Sequence, residues 1–409
     1  VRNPIPTLVL CGAVACWAVS AGSVPAHAQG TAAQGNMSLA VHIFQSAVQN
    51  ARAAYPRLAG PQPRVVPGNA QYQDGLAKLQ AGQYIEAVTA LTAAVRANPN
   101  SALYHGDLAA AQIGMQSADD ASLELVLARQ KQPQNQWYTV ALAAVKAMRQ
   151  QYNDASLNLD VAVAADSAIV DSTVAEAGVA WAWRGRRNPQ AQAWAEIATQ
   201  RWPGIAEPWL RLASLLRPAH DTTRGMAAIQ HYLGMRPDDG AGKYLYGVYL
   251  YDVGRYDSAV TLAAEAARDS VNRESASVIL FNIGARSFQA AQDTAEAERE
   301  HQGERLDLAI SALSAVQPVA SEELAPRVGL FLGYAQLLKV ARLDHEAEAD
   351  RNCASAQALD TVLTQAGENL RTGLALDSAR VSGVLTNTIP QYRDRARALV
   401  NQVCGGRRP

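Results

Sequence analysis

The sequence predicts an all-α, right-handed α-solenoid of helix–turn–helix repeats that ends in a C-terminal helical cap. Three observations carry this. Proline recurs at a helical-repeat spacing, since the interval from Pro99 to Pro133 is repeated without change from Pro203 to Pro237. The stretch between Pro133 and Pro203 is twice that period plus two, with Ser167 at the expected middle place. Between these marks, alanine and larger apolar residues share helix faces in successive segments, the stripe of helices buried on one side. Proline cannot continue a helix, so a proline closing each unit at this period is the mark of stacked helix pairs.

The elements follow in order. Arg2 gives a minimal positive start, Thr7–Val19 is almost wholly apolar, and Ala26-His27-Ala28 supplies a small-x-small cleavage site. Residues 1–28 therefore read as a secretory signal peptide, cut after Ala28. A retained anchor is the competing reading. The apolar run is shorter than the ~20 residues a bilayer span needs, and Gly22 and Pro25 follow it, which favours cleavage. Lipoprotein processing at Cys16 is weaker still, because Ala13-Val14-Ala15 lacks the usual leucine. No other stretch is long and apolar enough to span a bilayer, so the mature chain is expected in the periplasm or otherwise exported. Residues 29–67 read as a flexible polar leader (29–36), a lone helix over Met37–Tyr55, and a proline-rich linker from Pro56 to Gly68 that cannot continue a helix.

From there helices come in pairs. Gln71–Ala81 is the first, Gly82 breaks it, and Tyr84–Ala97 is the second, closed by Asn98-Pro99-Asn100. Glycine at the turn allows the left-handed conformation that ends a helix. Alanine lets neighbouring helix axes approach closely, with bulkier residues filling the space beside it. The residues recur. The first unit has Gly75, Gly82, Tyr84, Ala87, Leu91, Ala94 and Pro99, and the second Leu108, Ala109, Ala121, Leu125, Ala128 and Pro133. The third has Leu142, Ala143, Tyr152, Ala155, Leu159 and Ala162. The fourth keeps Ala191, Ala198 and Pro203, with the two-residue insertion placed near Arg186–Asn188. The fifth has Trp209, Leu212, Ala213 and Pro237, with Gly225 and Tyr232 where alanines are expected; the sixth has Gly247, Gly254, Tyr256, Ala259 and Ala266. On these residues, the stretch 68–271 resembles six repeats of the tetratricopeptide (TPR) family, of the exported bacterial kind.

Beyond 271 the register loosens. Glu274–Ala291 reads as a helix, Gln292–Arg305 as an acidic polar stretch, and Leu306–Val316 as a helix stopped at Pro318. Arg327–Val340 looks like a first repeat helix, and Ala354–Leu374 and Gln391–Val403 are the last two helices. Residues 272–409 thus form diverged helical units and a cap, which a solenoid end needs to cover its unpaired apolar face. With Cys11 and Cys16 in the signal, only Cys353 and Cys404 remain, and an isolated pair in an exported chain reads as one disulfide rather than two buried thiols.

Composition and motifs narrow the function. With 36 basic and 37 acidic side chains the net charge is -1, so no overall field favours nucleic acid or an anionic membrane. The seven histidines make no metal pattern; His345-Glu346 begins like a zinc-protease helix but lacks the second histidine. There is no phosphate loop, dinucleotide fingerprint, nucleophile elbow or haem-attachment motif. Asp119-Asp120 and Asp238-Asp239 sit between helices, where carboxylates cap free N–H groups. No catalytic, cofactor or metal site is therefore expected.

What remains is the concave surface that the resemblance implies, lined by the first helix of each pair. In that register the partner-binding residues are Tyr72, Trp137, Val140, Glu176, Trp183, Arg184, Arg211, Arg217, Tyr244 and Tyr251, with Leu103 beside them. Aromatic residues and arginine are enriched at binding hot spots, though such rings also fill inter-repeat space. The expected function is a non-enzymatic protein–protein interaction scaffold of the bacterial cell envelope. The alternative is a glycan- or lipid-assembly accessory whose tryptophans stack on sugars.

Overall fold

The computed structural model describes residues 28–60, 66–292, 301–349 and 352–404. The signal-peptide reading of residues 1–27 lies outside them, as do 61–65 of the linker and 293–300 of the acidic stretch. Among the described residues every regular element is helical. Twelve helices pair in sequence: α2 (Asn69–Gln80) with α3 (Tyr84–Ala97), α4 (Ala102–Gly114) with α5 (Ala118–Lys131), and α6 (Trp137–Met148) with α7 (Tyr152–Ala165). The same pairing joins α8 (Ser172–Arg184) to α9 (Asn188–Arg201), α10 (Ala206–Leu216) to α11 (Thr222–Met235), and α12 (Gly240–Asp252) to α13 (Tyr256–Ala266). Each second helix packs on the first helix of the next pair, so the core is one stacked layer rather than a ball.

The turn inside each pair repeats with the same backbone. Gly82, Gln116, Gln150, Arg186, His220 and Gly254 all have φ between 57° and 78°. Glycine takes that conformation freely at the outer two turns; four side-chain-bearing residues are forced into it at the inner ones. These positions recur at the proline period, lengthened by two only between Gln150 and Arg186. The interval from the helix-ending Asp166 to Arg186 carries the excess, so the two extra residues precede α8, not the stretch near Arg186–Asn188. They make the longer 166–171 connection, a 3-10 turn over Ser167–Ile169 with Asp166 capping Ala168 and Asp171 capping Val174.

One departure from the repeat pattern has a packing cause. Gly225 stands where alanine is usual because a Cβ there would collide with the Tyr249 hydroxyl. That ring is buried and its hydroxyl donates to the Ala213 carbonyl at 2.6 Å, crossing from α12 to α10.

The C-terminal part continues as α14 (Arg273–Ala291) with α15 (Gln302–Val316), and α16 (Ala325–Ala349) with α17 (Cys353–Thr372). The interval 375–390 holds a short helix, α18 (Ser378–Gly383), and a π-type turn at Val384–Thr388, before α19 (Ile389–Cys404) packs back on α17. Cys353 and Cys404 are bonded, joining the start of α17 to the end of α19.

The N-terminal segment departs most from expectation. Residues 29–36 are not a loose leader; they belong to α1 (Ala28–Leu58), which also runs through Pro56 in its last turn. Nor is that helix alone. It packs along α6 and touches α4 and α8, all first helices of their pairs.

Candidate partner-binding groove

α1 lies along the first helices of the second, third and fourth pairs, on the face expected to form the groove. Its apolar stripe, Ala40, Ile43, Phe44, Ala47, Val48 and Ala51, is at most 4% exposed. The spacing of three and four residues puts all six on one face. The receiving surface is built for close approach. Counting back ten, six and three residues from each left-handed turn residue gives the groove positions, and in α6 these are Val140, Ala144 and Ala147, all buried. α4 has Gly106 and Ala110 at the first two places. α6 is accordingly apolar nearly all round, as a helix covered on both faces must be.

Polar contacts fix the register of α1. Arg52 donates to Asp107 from Nη2 at 2.6 Å and from Nε at 3.3 Å, and the Tyr72 hydroxyl donates to the same carboxylate at 2.7 Å. Asp107 is fully buried, so its charge requires these donors. Burial, then the Asp107 charge, pushes the Tyr72 hydroxyl far above its ordinary pKa and keeps it a donor. Tyr72 also stacks on Tyr104 at 4.7 Å. At the far end, Asn135 Nδ2 donates to the Ala51 carbonyl at 3.0 Å, and Gln134 Nε2 to the Leu58 carbonyl at 3.2 Å.

This occupancy sorts the groove residues. Tyr72 and Val140 are buried, at 4% and 0% exposure, and cannot meet a partner. Trp137 is half-buried against the same core. Glu176, Trp183, Arg184, Arg211, Arg217, Tyr244 and Tyr251 remain half-exposed, on or just after α8, α10 and α12. The guanidinium of Arg211 sits 4.2 Å over the Trp183 ring and pairs with Glu207 at 2.7 Å. Burial and the neighbouring Glu207 raise the Glu176 pKa, against the pull of Arg236 and of His42 on α1. Arg184 covers the Tyr152 ring. Arg217 forks onto Asp252 at 2.7 and 3.3 Å; Tyr251 lies beside Arg286 of α14, whose pKa it raises, and meets Tyr256 at 5.7 Å. The surface is thus a strip of half-exposed aromatic rings with arginines held in place by the chain's own acids and rings. Asp239 caps Gly242 at 2.7 Å, a structural role for that acid. Among the described residues no group of three or more His, Cys, Asp or Glu side chains is placed to hold a metal ion.

Sequence reasoning missed Arg52, Asp107, Asn135 and Arg286. The visible signal was the small-residue groove of α4 and α6, beside an acid, Asp107, in an otherwise apolar helix.

Six helix pairs, with left-handed turn residues recurring at one period and stretched by two only before Arg186, decide the fold. The fold is a solenoid of paired helices of the tetratricopeptide repeat type. No protein-family model and no curated protein sequence matches the chain. Solved structures similar to it include YrrB, a TPR protein with an unusual peptide-binding site; the match is 12% identical, covers 43% of this chain and 90% of YrrB, and has a TM-score of 0.40. PilF of Pseudomonas aeruginosa is 19% identical over 49% of this chain and 90% of its own, with a TM-score of 0.38. A tetratricopeptide repeat protein of Parabacteroides merdae is 10% identical over 72% and 98%, with a TM-score of 0.36. At these values they are likenesses of the repeat fold alone.

Proposed function

We propose that this protein is a tetratricopeptide-type, non-enzymatic scaffold of the bacterial cell envelope, and that it binds another protein through the open half of its groove, from α8 to α14. The observation that carries the reading is the division of the groove. Its N-terminal half already holds a helix, α1, while the other half leaves Trp183, Tyr244, Tyr251, Arg211 and Arg217 accessible. A channel that takes one helix side-on has the width for a partner's segment beyond it. Envelope location rests on the signal-like residues 2–28. No helix among the described residues is long and apolar enough to cross a membrane.

The glycan reading has less support. Arg211 covers one face of Trp183, and Trp137 packs on the core, so the pair does not present the open rings that the sugar-stacking reading invoked.

The test is capture from envelope extract by the intact protein, followed by titration of the captured protein against variants. Trp183→Ala should weaken binding about thirtyfold, the loss expected for a desolvated aromatic anchor. Glu265→Ala on α13 should leave it unchanged. Retention of isolated envelope polysaccharide, with no protein titrating against Trp183→Ala, would overturn the proposal.

A further inference from the structure

Two groove acids hold nearly the same place in their helices, and only one of them is answered. Asp107 stands nine residues before the left-handed residue that follows α4, and Glu176 ten before the one that follows α8. Each lies beside a floor formed by the first helix of the next pair, α6 after α4 and α10 after α8. Over α6 lies α1, whose Arg52 reaches sideways to Asp107 at 2.6 Å. Over α10 no described helix is laid in that way. Glu176 is half-buried there and makes no hydrogen bond or ion pair among the described residues. Its charged neighbours are Glu207, Arg236 and His42. Arg211 holds Glu207 at 2.7 Å, while Arg236 and His42 act on Glu176 only through space. A carboxylate drawn out of water without a donor costs stability, and no bond of α8 offsets that. The trough itself continues past α1. Six residues before the turn residue, the second to fifth pairs carry Ala110, Ala144, Ala180 and Ser214, so no bulky side chain closes it at α8 or α10.

We propose that the partner's segment is an amphipathic helix that lies over α10, beside α1, and brings a lysine or arginine to Glu176 as α1 brings Arg52 to Asp107. The proposal rests on the open-groove reading above and adds the class of segment that the groove takes. α1 selects the form of the occupant, because the same trough already receives a helix lengthwise on α6. The unanswered carboxylate selects its charge. Arg211 and Arg217 are already paired with Glu207 and Asp252, which leaves Glu176 as the charge in this half that lacks a bond. Space agrees as well. α10 lies two first helices beyond α6, which at about 8–10 Å apiece sets the second occupant roughly 16–20 Å from α1, more than two packed helices need. Burial and Glu207 resist ionisation of Glu176 in the free chain; a partner's cation would hold it ionised and satisfy it at once.

The probe is the protein captured in the titration above, measured against the full chain. Glu176→Gln should weaken its binding at least about tenfold. The same substitution should leave the melting temperature of the free chain unchanged or higher, since it removes a charge that has no bond to lose. A photo-cross-linking residue at position 214, on the floor of α10, should mark one helical segment of the captured protein. Replacing the basic residue of that segment by Glu should weaken binding, and combining that change with Glu176→Lys should restore it. Weakening by Trp183→Ala but not by Glu176→Gln would overturn the proposal and leave the groove reading standing; weakening by neither would overturn both. A lowered melting temperature would make Glu176 a structural residue. That result, a cross-linked segment without a basic residue, or charge reversal without rescue would each overturn the proposal as well.

Discussion

Replacing Phe44 with alanine should loosen α1 from the groove without unfolding the rest of the solenoid. Phe44 is 2% exposed and shares its stripe with Ile43 at 2% and Val48 at 4%. Each such side chain contributes roughly 1.5–3 kcal/mol when fully buried. Truncating a buried phenylalanine costs about 3–5 kcal/mol once the residual cavity is included. One substitution thus removes a large share of the apolar grip on α1, leaving Arg52–Asp107 and the two capping amides. About 4 kcal/mol corresponds to nearly a thousandfold rise in the opening equilibrium. Hydrogen–deuterium exchange on peptides from residues 37–58 should accelerate by that order, and trypsin should cut at Arg52 and Arg57. Amides of α16 to α19 should not change, because contacts in a solenoid are local. Unchanged protection of α1, or equal loss along the whole chain, would refute the view that α1 is a separately held groove ligand.

Other outcomes follow from particular residues. His105 Nδ1 lies 2.5 Å from Glu124 and Nε2 lies 3.0 Å from the Pro99 carbonyl, so both ring nitrogens face acceptors. Burial lowers its pKa, but Glu124 and Pro99 outweigh that and the net shift is upward from 6.5. Its stabilising contribution is full below the ordinary imidazole value and is lost as pH rises through the raised one. Urea midpoints of wild type and His105→Gln should therefore converge at alkaline pH and separate in acid. Reduction of Cys353–Cys404 should remove up to about 4 kcal/mol from the cap, by the chain-entropy model for a sequence separation of 51. Thiol labelling before reduction should fail, and exchange after reduction should quicken in α17 and α19 only. Gln150→Gly and His220→Gly should relieve left-handed strain and raise thermal stability by up to about 1 kcal/mol, whereas Gly82→Ala and Gly254→Ala should lower it by a similar amount.

The paired helices could be read from the sequence because each repeat states its own period: turn, alanine face and proline depend on neighbours within one repeat length. Cys353 and Cys404 were legible for a simpler reason, having no other partner in the expected mature chain. The docking of α1 was not legible in the same way. Met37–Tyr55 announces a helix, but its destination is a surface two repeats further down the chain, marked only by Val140, Ala144 and Ala147 in place of large groove residues. The burial of Tyr72 and Val140 follows from that long-range contact. The misplaced insertion had a local cause. Alanine positions on both sides of it fit either register, and only the backbone turn at Arg186 separates them. Pro56 misled because proline is disfavoured inside a helix, yet in a last turn it forfeits one hydrogen bond that the continuing helix tolerates.

The helix in the groove also changes how the molecule should respond to load. A bare solenoid is a spring whose neighbouring coils are linked only to each other. α1 spans α4, α6 and α8 and so cross-braces three successive coils, and Cys353–Cys404 ties the other end. Stretching or bending should therefore concentrate in the unbraced stretch from α9 to α15, which includes most of the open groove. A partner seated there would stiffen the one part of the spring that is free to give, and a pull on the spring would alter how well that partner fits.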